Sequence, residues 1–136
     1  MSVRFVSIEW VEAYHERLME LQGQQAMLMG DQGRAKLESA IARPQATVFG
    51  EDAFPSLAEK AAALLQAVAI AHAFTDGNKR AAAGAMLSFL ALNSVPMIAD
   101  EGALYDLVIA VTTGELREVE DIAARLRVLF APHLDA

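Results

Sequence analysis

Cysteine is absent from this chain of 136 residues. Disulfide bonds, thiolate nucleophiles and cysteine-ligated zinc are therefore excluded. Histidine is scarce, and the three histidines lie far apart, without the HExxH spacing of a catalytic zinc site. We interpret two of them, His15 and His133, as surface histidines.

The chain also lacks an excess of positive charge and a long apolar run. Eleven basic against 18 acidic residues give a net charge of −7, unlike the basic patch of a nucleic-acid-binding protein. Hydrophobic residues make up 54% of the sequence, yet the longest apolar runs, 61–73 and 81–92, are shorter than the roughly 20 residues that span a bilayer. The N-terminus has no signal-peptide features. We therefore expect a cytoplasmic protein that contacts neither nucleic acid nor membrane.

Neither a repeat nor a linker interrupts the chain, so we predict one domain over residues 1–136. Apolar residues recur with helical spacing nearly throughout, which predicts an all-α, compact helical bundle. The first helix would be capped by Ser7 and would bury Ile8, Val11, Tyr14, Leu18 and Leu21. A loop over 23–33 and a second helix over 34–43, ended by Pro44, would follow.

A small strand-like flap is predicted over 45–54, where Thr47, Val48 and Phe49 have strand propensity and residues 50–52 can form a turn. Ser56 and Glu59 then form a capping box that begins a helix reaching to about 73. Further helices are predicted at 79–92, from Asp100 to Gly114, and over about 118–130. The helices at 57–73 and 79–92 are apolar on nearly every face, so they should form a central helical hairpin.

Residues 72–80, which read HAFTDGNKR, join these two apolar helices. Lys79 and Arg80 fall in the first turn of the second helix, where the helix dipole disfavours cations. Backbone N–H groups at the same helix end, with a close approach permitted by Gly77, can bind an anion. Asn78 adds a side-chain donor. The combination predicts a phosphate site.

Three other residues of this turn complete the predicted chemistry. Asp76 can hold Mg²⁺ when phosphate oxygens and water supply the other ligands. His72, at the end of the preceding helix, is a candidate base for a hydroxyl nucleophile. Phe74 should turn inward and fix the loop to the core.

Each residue of the turn has a simpler explanation when taken alone: a core histidine, a capping acid or amide, a turn glycine, or a solvated pair of cations. A phosphate site explains both the cations at the unfavourable helix end and the histidine in an apolar hairpin. We therefore prefer it.

The segment 72–80 resembles the active-site motif of the Fic/Doc family, HxFx(D/E)GN followed by Gly or Lys and then Arg, and it is closest to the Doc branch. The similarity extends to GRAKLESAIARPQ (33–45), LAEKAAALLQAVAIAHAF (57–74) and FLALN (89–93). It implies a Fic/Doc-like fold with His72 as general base, Asp76 as the Mg²⁺ ligand and Phe74 as a structural residue. The implied phosphate- and nucleotide-binding residues are Gly77, Asn78, Lys79 and Arg80. The flap residues Thr47, Val48 and Phe49 would align a target peptide by main-chain pairing.

Departures from the AMP-transferring pattern HPFx(D/E)GNGRxxR bear on the reaction. Ala73, Lys79 and Ala83 replace the proline, the second glycine and the last arginine. The last two changes match Doc proteins, which resemble Fic enzymes with a reversed nucleotide. The resemblance thus implies a toxin of a type II toxin–antitoxin module that transfers the γ-phosphoryl group of ATP to a Ser or Thr hydroxyl of a protein. Elongation factor Tu is the implied target, and inhibition of translation the implied result.

Two other functions remain open at the level of sequence: transfer of AMP to a protein hydroxyl, and antitoxin binding without catalysis. The inhibitory motif (S/T)xxxE(G/N) is not matched, since Asp52 follows Glu51 in the nearest segment. We therefore expect control by a separate Phd-like antitoxin whose disordered tail folds on binding.

Overall fold

The computed structural model describes residues 2–21, 30–74 and 77–134. Helices dominate these residues, and the predicted all-α fold with a small flap is confirmed. The helices are α1 (Ile8–Leu21), α2 (Gly30–Ala42), α3 (Leu57–Ala71), α4 (Asn78–Leu92), α5 (Glu101–Thr113) and α6 (Val119–Leu129), and the strands are β1 (Thr47–Val48) and β2 (Glu51–Asp52). None of the helices in the described ranges is both long enough and apolar enough to cross a bilayer.

The antiparallel pair α3 and α4 forms the centre of the bundle, as the sequence predicted. Ten of the 15 residues of α3 are buried, and this helix packs against α2, α4, α5 and α6. Six of these ten residues are alanines, whose small side chains leave room for neighbouring helices, while larger side chains such as Phe89 and Leu64 fill the core. Because both helices are held by this packing, the two ends of the loop between α3 and α4 are fixed in position.

Helix ends are set by the caps that the sequence indicates. The Ser56 hydroxyl accepts a hydrogen bond from the Glu59 backbone N–H and donates one to the Glu59 carboxylate. Asp100 accepts a hydrogen bond from the N–H of Ala103 at the start of α5, and Gly114 ends that helix with φ 81°. These contacts confirm the predicted starts of α3 and α5.

The N-terminal third differs from the prediction in detail. Ser7 caps α1 as expected, but Leu21 is 69% exposed, so its predicted place in the core is wrong. Among the α1 side chains that the structure describes, the buried ones follow i, i+4 spacing, at Val11, His15 and Met19, and the predicted burial of Leu18 lies outside the described side chains. Helix α2 begins at Gly30, inside the predicted loop over 23–33, and residues 23–29 of that loop lie outside the described residues. After α2 ends at Ala42, a 3₁₀ turn containing Pro44 continues the chain.

The flap is a short antiparallel hairpin in which Thr47 pairs with Asp52 and Val48 with Glu51. Its turn is formed by Phe49 and Gly50, with φ of 52° and 81°, rather than by residues 50–52. Two consecutive positive φ values are typical of the tight hairpin turn whose twist matches the strands. The Phe49 side chain is fully exposed at the tip.

Candidate active site

The loop between α3 and α4 is bounded by two residues in the left-handed conformation. His72 caps the C-terminus of α3 with φ 52° and ψ 44°, and its side chain is exposed. Gly77 caps the N-terminus of α4 with φ 78° and ψ 18°. A residue with a Cβ atom adopts this conformation at a cost of about 1–2 kcal/mol. The backbone at His72 is thus held against its local preference, which turns the imidazole out of the helix.

Within the loop, Asn78 and Phe74 hold the chain in a closed turn. The Asn78 Oδ1 accepts a hydrogen bond from the Phe74 N–H (3.1 Å), and its Nδ2 donates one to the Phe74 carbonyl (2.9 Å). The Phe74 ring is 3% exposed, so the predicted inward orientation is confirmed. Asn78 is also the first residue of α4, so its backbone N–H group belongs to the helix end.

Helix α1 supports this loop through His15. The His15 ring stacks on the Phe74 ring with centroids 3.7 Å apart and an interplanar angle of 19°. His15 is only 1% exposed, so its interpretation as a surface histidine is wrong. The sequence contained a signal for this burial, since His15 lies one helical turn from both Val11 and Met19, which are also buried. The prediction missed this burial because it placed the buried face of the helix on Leu18 and Leu21.

Gly77 is required by this packing as well as by its backbone angle. A Cβ atom built on Gly77 would lie 2.7 Å from His15 Nε2 and 3.1 Å from Met19 Sδ. Any larger residue would therefore push the loop away from α1. The close approach seen here is to α1, and the predicted close approach of Gly77 to a ligand stays a prediction.

A groove of about 1140 Å³ opens beside the loop. One wall brings together five of the predicted site residues, namely His72, Gly77, Asn78, Lys79 and Arg80, with Ala83 beside them. The opposite wall comes mainly from α5 and the segment before it, including Met97, Glu101, Tyr105, Asp106 and Ile109. The described flap residues Thr47, Val48 and Phe49 are not part of the lining, and Asp76 lies outside the described residues.

The motif wall of the groove has the electrostatic character of an anion site. Gly77 offers no side chain to cap the first N–H groups of α4, and the first turn of this helix contains no acidic residue. Lys79 and Arg80 are exposed in the same turn. The helix dipole, the N–H groups and the two cations all favour a negatively charged ligand here.

A metal ion at this site would be held largely by ligands that the protein does not supply. The described parts of the chain contain no group of three or more His, Asp or Glu side chains placed to bind a metal. Mg²⁺ commonly uses one or two carboxylates together with phosphate oxygens and water. The anion site is compatible with such a set, in which Asp76 would be the carboxylate, and this assignment stays a prediction.

Comparison with known proteins gives the family. The Fic/DOC family model matches residues 5–90. The chain is 49% identical over 92 residues to Toxin Doc of Mycolicibacterium smegmatis, covering 66% of this chain and 70% of that protein. It is 41% identical over 102 residues to Protein kinase doc of Escherichia phage P1, covering 75% and 77%.

The chain belongs to the Fic/DOC family. Its similarity to these two proteins places it in the Doc branch, as its motif predicted.

Proposed function

We propose that the protein is a Doc-type toxin that transfers the γ-phosphoryl group of ATP to a Ser or Thr hydroxyl of a target protein. The observation that carries the proposal is the shared groove wall, where His72 lies beside the cationic N-terminus of α4, whose N-cap residue Gly77 has no capping side chain. Phosphoryl transfer depends mainly on positioning and on stabilising charge, and this wall offers both.

In the proposed reaction the hydroxyl oxygen of the target attacks the γ-phosphorus, and the bond to the β–γ bridging oxygen breaks. His72 accepts the hydroxyl proton, and ADP leaves. The N–H groups of Gly77 and Asn78, with Lys79 and Arg80, stabilise the phosphate oxygens. Mg²⁺, held by Asp76, would neutralise charge on the phosphates.

The choice of the γ- over the α-phosphate rests on two positions in the groove. Lys79 places a charged side chain where AMP-transferring enzymes have glycine, and Ala83 supplies no second arginine for the remaining phosphates. Both residues line the groove. The relative named Protein kinase doc supports the same reaction.

Partners follow from the same assignment. The relative named Toxin Doc supports an antitoxin partner, and we propose a Phd-like protein whose tail folds on the toxin. The exposed backbone edge of the flap, at Thr47 and Val48, would pair with the target peptide. Elongation factor Tu is the proposed target, in the cytoplasm.

The proposal is tested with ATP labelled separately at the α- and γ-phosphates. We expect only the γ-label to reach protein in a bacterial lysate, with magnesium present. Because removal of the base leaves the anion site intact, His72→Ala should abolish transfer, by about 10² to 10⁴-fold, and should leave ATP affinity nearly unchanged.

The matched control is His133→Ala, which removes an exposed histidine after α6 and should keep full activity. Transfer of the α-label would contradict the kinase assignment and would identify the protein as an AMP transferase. Undiminished transfer by His72→Ala would refute the assignment of the base. If neither label is transferred and expression does not slow growth, a non-catalytic binding role replaces both reactions.

A further inference from the structure

We propose that His15 is a positioning residue for the candidate active site: its buried ring fixes the course of the loop that carries the motif. The ring stacks on Phe74 and lies directly beneath the backbone of Gly77. The activity readout of this proposal rests on the proposed function, whereas its structural readout does not.

His15 joins two parts of the chain that are distant in sequence. It belongs to α1, whereas Phe74 and Gly77 belong to the loop between α3 and α4. The centroids of the two stacked rings are 3.7 Å apart, and His15 Nε2 would lie 2.7 Å from a Cβ atom on Gly77. One face of the imidazole thus contacts the start of the loop, and its edge contacts the end.

These contacts reach the groove through Asn78. The Asn78 side chain binds both backbone groups of Phe74, and its backbone belongs to the first turn of α4. Any shift of Phe74 therefore moves the helix end that carries the predicted anion site. A displacement of about 1 Å at a reacting group can cost about 10²-fold in rate.

His15 itself is not proposed to touch the substrate. It is 1% exposed and is not part of the described lining of the groove. Its effect on the reaction would pass through Phe74 and Gly77, which defines it as a positioning residue rather than a catalytic one. A residue that only stabilised the fold would change the melting temperature without changing the turnover of folded molecules.

Two substitutions separate these roles. His15→Ala removes the ring, and His15→Phe keeps the stack on Phe74 but adds bulk at the edge facing Gly77. We expect both to lower kcat for γ-label transfer by roughly tenfold to a hundredfold. The KM for ATP should change less than kcat does, because His15 does not line the groove and its loss acts on the alignment of the reacting groups. The melting temperature of His15→Phe should fall less than that of His15→Ala, because the stack on Phe74 is kept.

The matched control is Leu37→Ala, which opens the core at a fully buried position of α2, an element that contributes neither His15 nor the loop. Assayed at a temperature where it is folded, it should lose stability and keep kcat. If His15→Phe and His15→Ala also keep kcat per folded molecule, or if both lower it only as much as Leu37→Ala does, the proposal is overturned.

Amide hydrogen exchange gives a readout that needs no activity. The N–H groups of Phe74 and Ala81 donate to Asn78 Oδ1 and to the Gly77 carbonyl, and that of Val95 donates to the Leu90 carbonyl at the far end of α4. In His15→Ala, exchange at Phe74 and Ala81 should accelerate relative to Val95, and in Leu37→Ala it should not. Equal changes at all three amides would refute the positioning role. This holds even if the wild-type protein transfers no label, a result that would refute only the proposed function.

Discussion

At the scale of single residues, two asparagines make the same kind of contact at opposite ends of α4. Asn78 binds the backbone N–H and carbonyl of Phe74 before the helix begins. Asn93 binds the backbone N–H and carbonyl of Arg4 after it ends. Asn78 thereby closes the loop beside the groove, whereas Asn93 holds the N-terminal segment against the other end of α4.

This pair provides a controlled substitution. Asn78→Ala and Asn93→Ala should each lower the free energy of unfolding by about 1–3 kcal/mol, since backbone groups lose their partners. Only Asn78→Ala should also lower γ-label transfer, by at least about tenfold. Urea denaturation and the label assay measure the two effects. Equal loss of activity in both variants would mean that Asn78 contributes stability alone.

At the scale of elements, the flap is tied to α3 by a buried lysine. Lys60, whose side chain is only 5% exposed, donates to the Asp52 carboxylate at 3.1 Å and to the Phe54 carbonyl. The Asp52 side chain is 58% exposed, so solvent weakens the ion pair. The bond to the Phe54 carbonyl should therefore contribute more to holding the hairpin in place.

Lys60→Met tests this tie. The variant leaves the Phe54 carbonyl without its donor, so the free energy of unfolding should fall by about 1–3 kcal/mol. If the flap aligns the target, KM for the protein substrate should rise and KM for ATP should not. Asp52→Asn keeps an oxygen acceptor and should cost less than about 1 kcal/mol. A larger effect of Asp52→Asn than of Lys60→Met would contradict this ranking.

Prediction from sequence succeeded where a signal is local. The caps at Ser56 and Asp100 and the apolar faces of α3 and α4 depend on neighbouring residues, and the structure confirms them. The start of α2 at Gly30 was missed because Gly30 and Gly33 disfavour helix formation, although both belong to the helix. The place of His15 beneath Gly77 depends on contacts over 62 positions of sequence, which spacing within one helix does not encode.

At the scale of the whole molecule, Tyr14 links α1 to the central hairpin and makes stability depend on pH. A Cβ atom on Gly84 would lie 2.0 Å from Tyr14 Cε1, so the ring packs directly on the backbone of α4. Burial raises the pKa of Tyr14 above its ordinary value of 10.0. The unfolded chain therefore loses this phenolic proton at a lower pH than the folded protein does.

The free energy of unfolding should therefore fall as pH rises past about 10, by at most about 1.4 kcal/mol per pH unit from this group. Tyr14→Phe should remove that part of the dependence, as measured by urea denaturation between pH 8 and 11 (roughly the range over which tyrosine titrates). The control Tyr105→Phe, which changes a largely exposed ring, should retain it. An unchanged pH profile in Tyr14→Phe would contradict the effect of burial.

Only one of the two walls of the groove lies within the segment that matches the family model. The family match covers residues 5–90, which include the motif wall, whereas the facing residues from Met97 to Thr112 lie beyond it. Substitutions in the α5 wall can therefore occur without any change in the motif. We therefore expect that relatives with the same motif can differ in ligand preference, and exchanging residues 97–112 between two relatives tests this expectation.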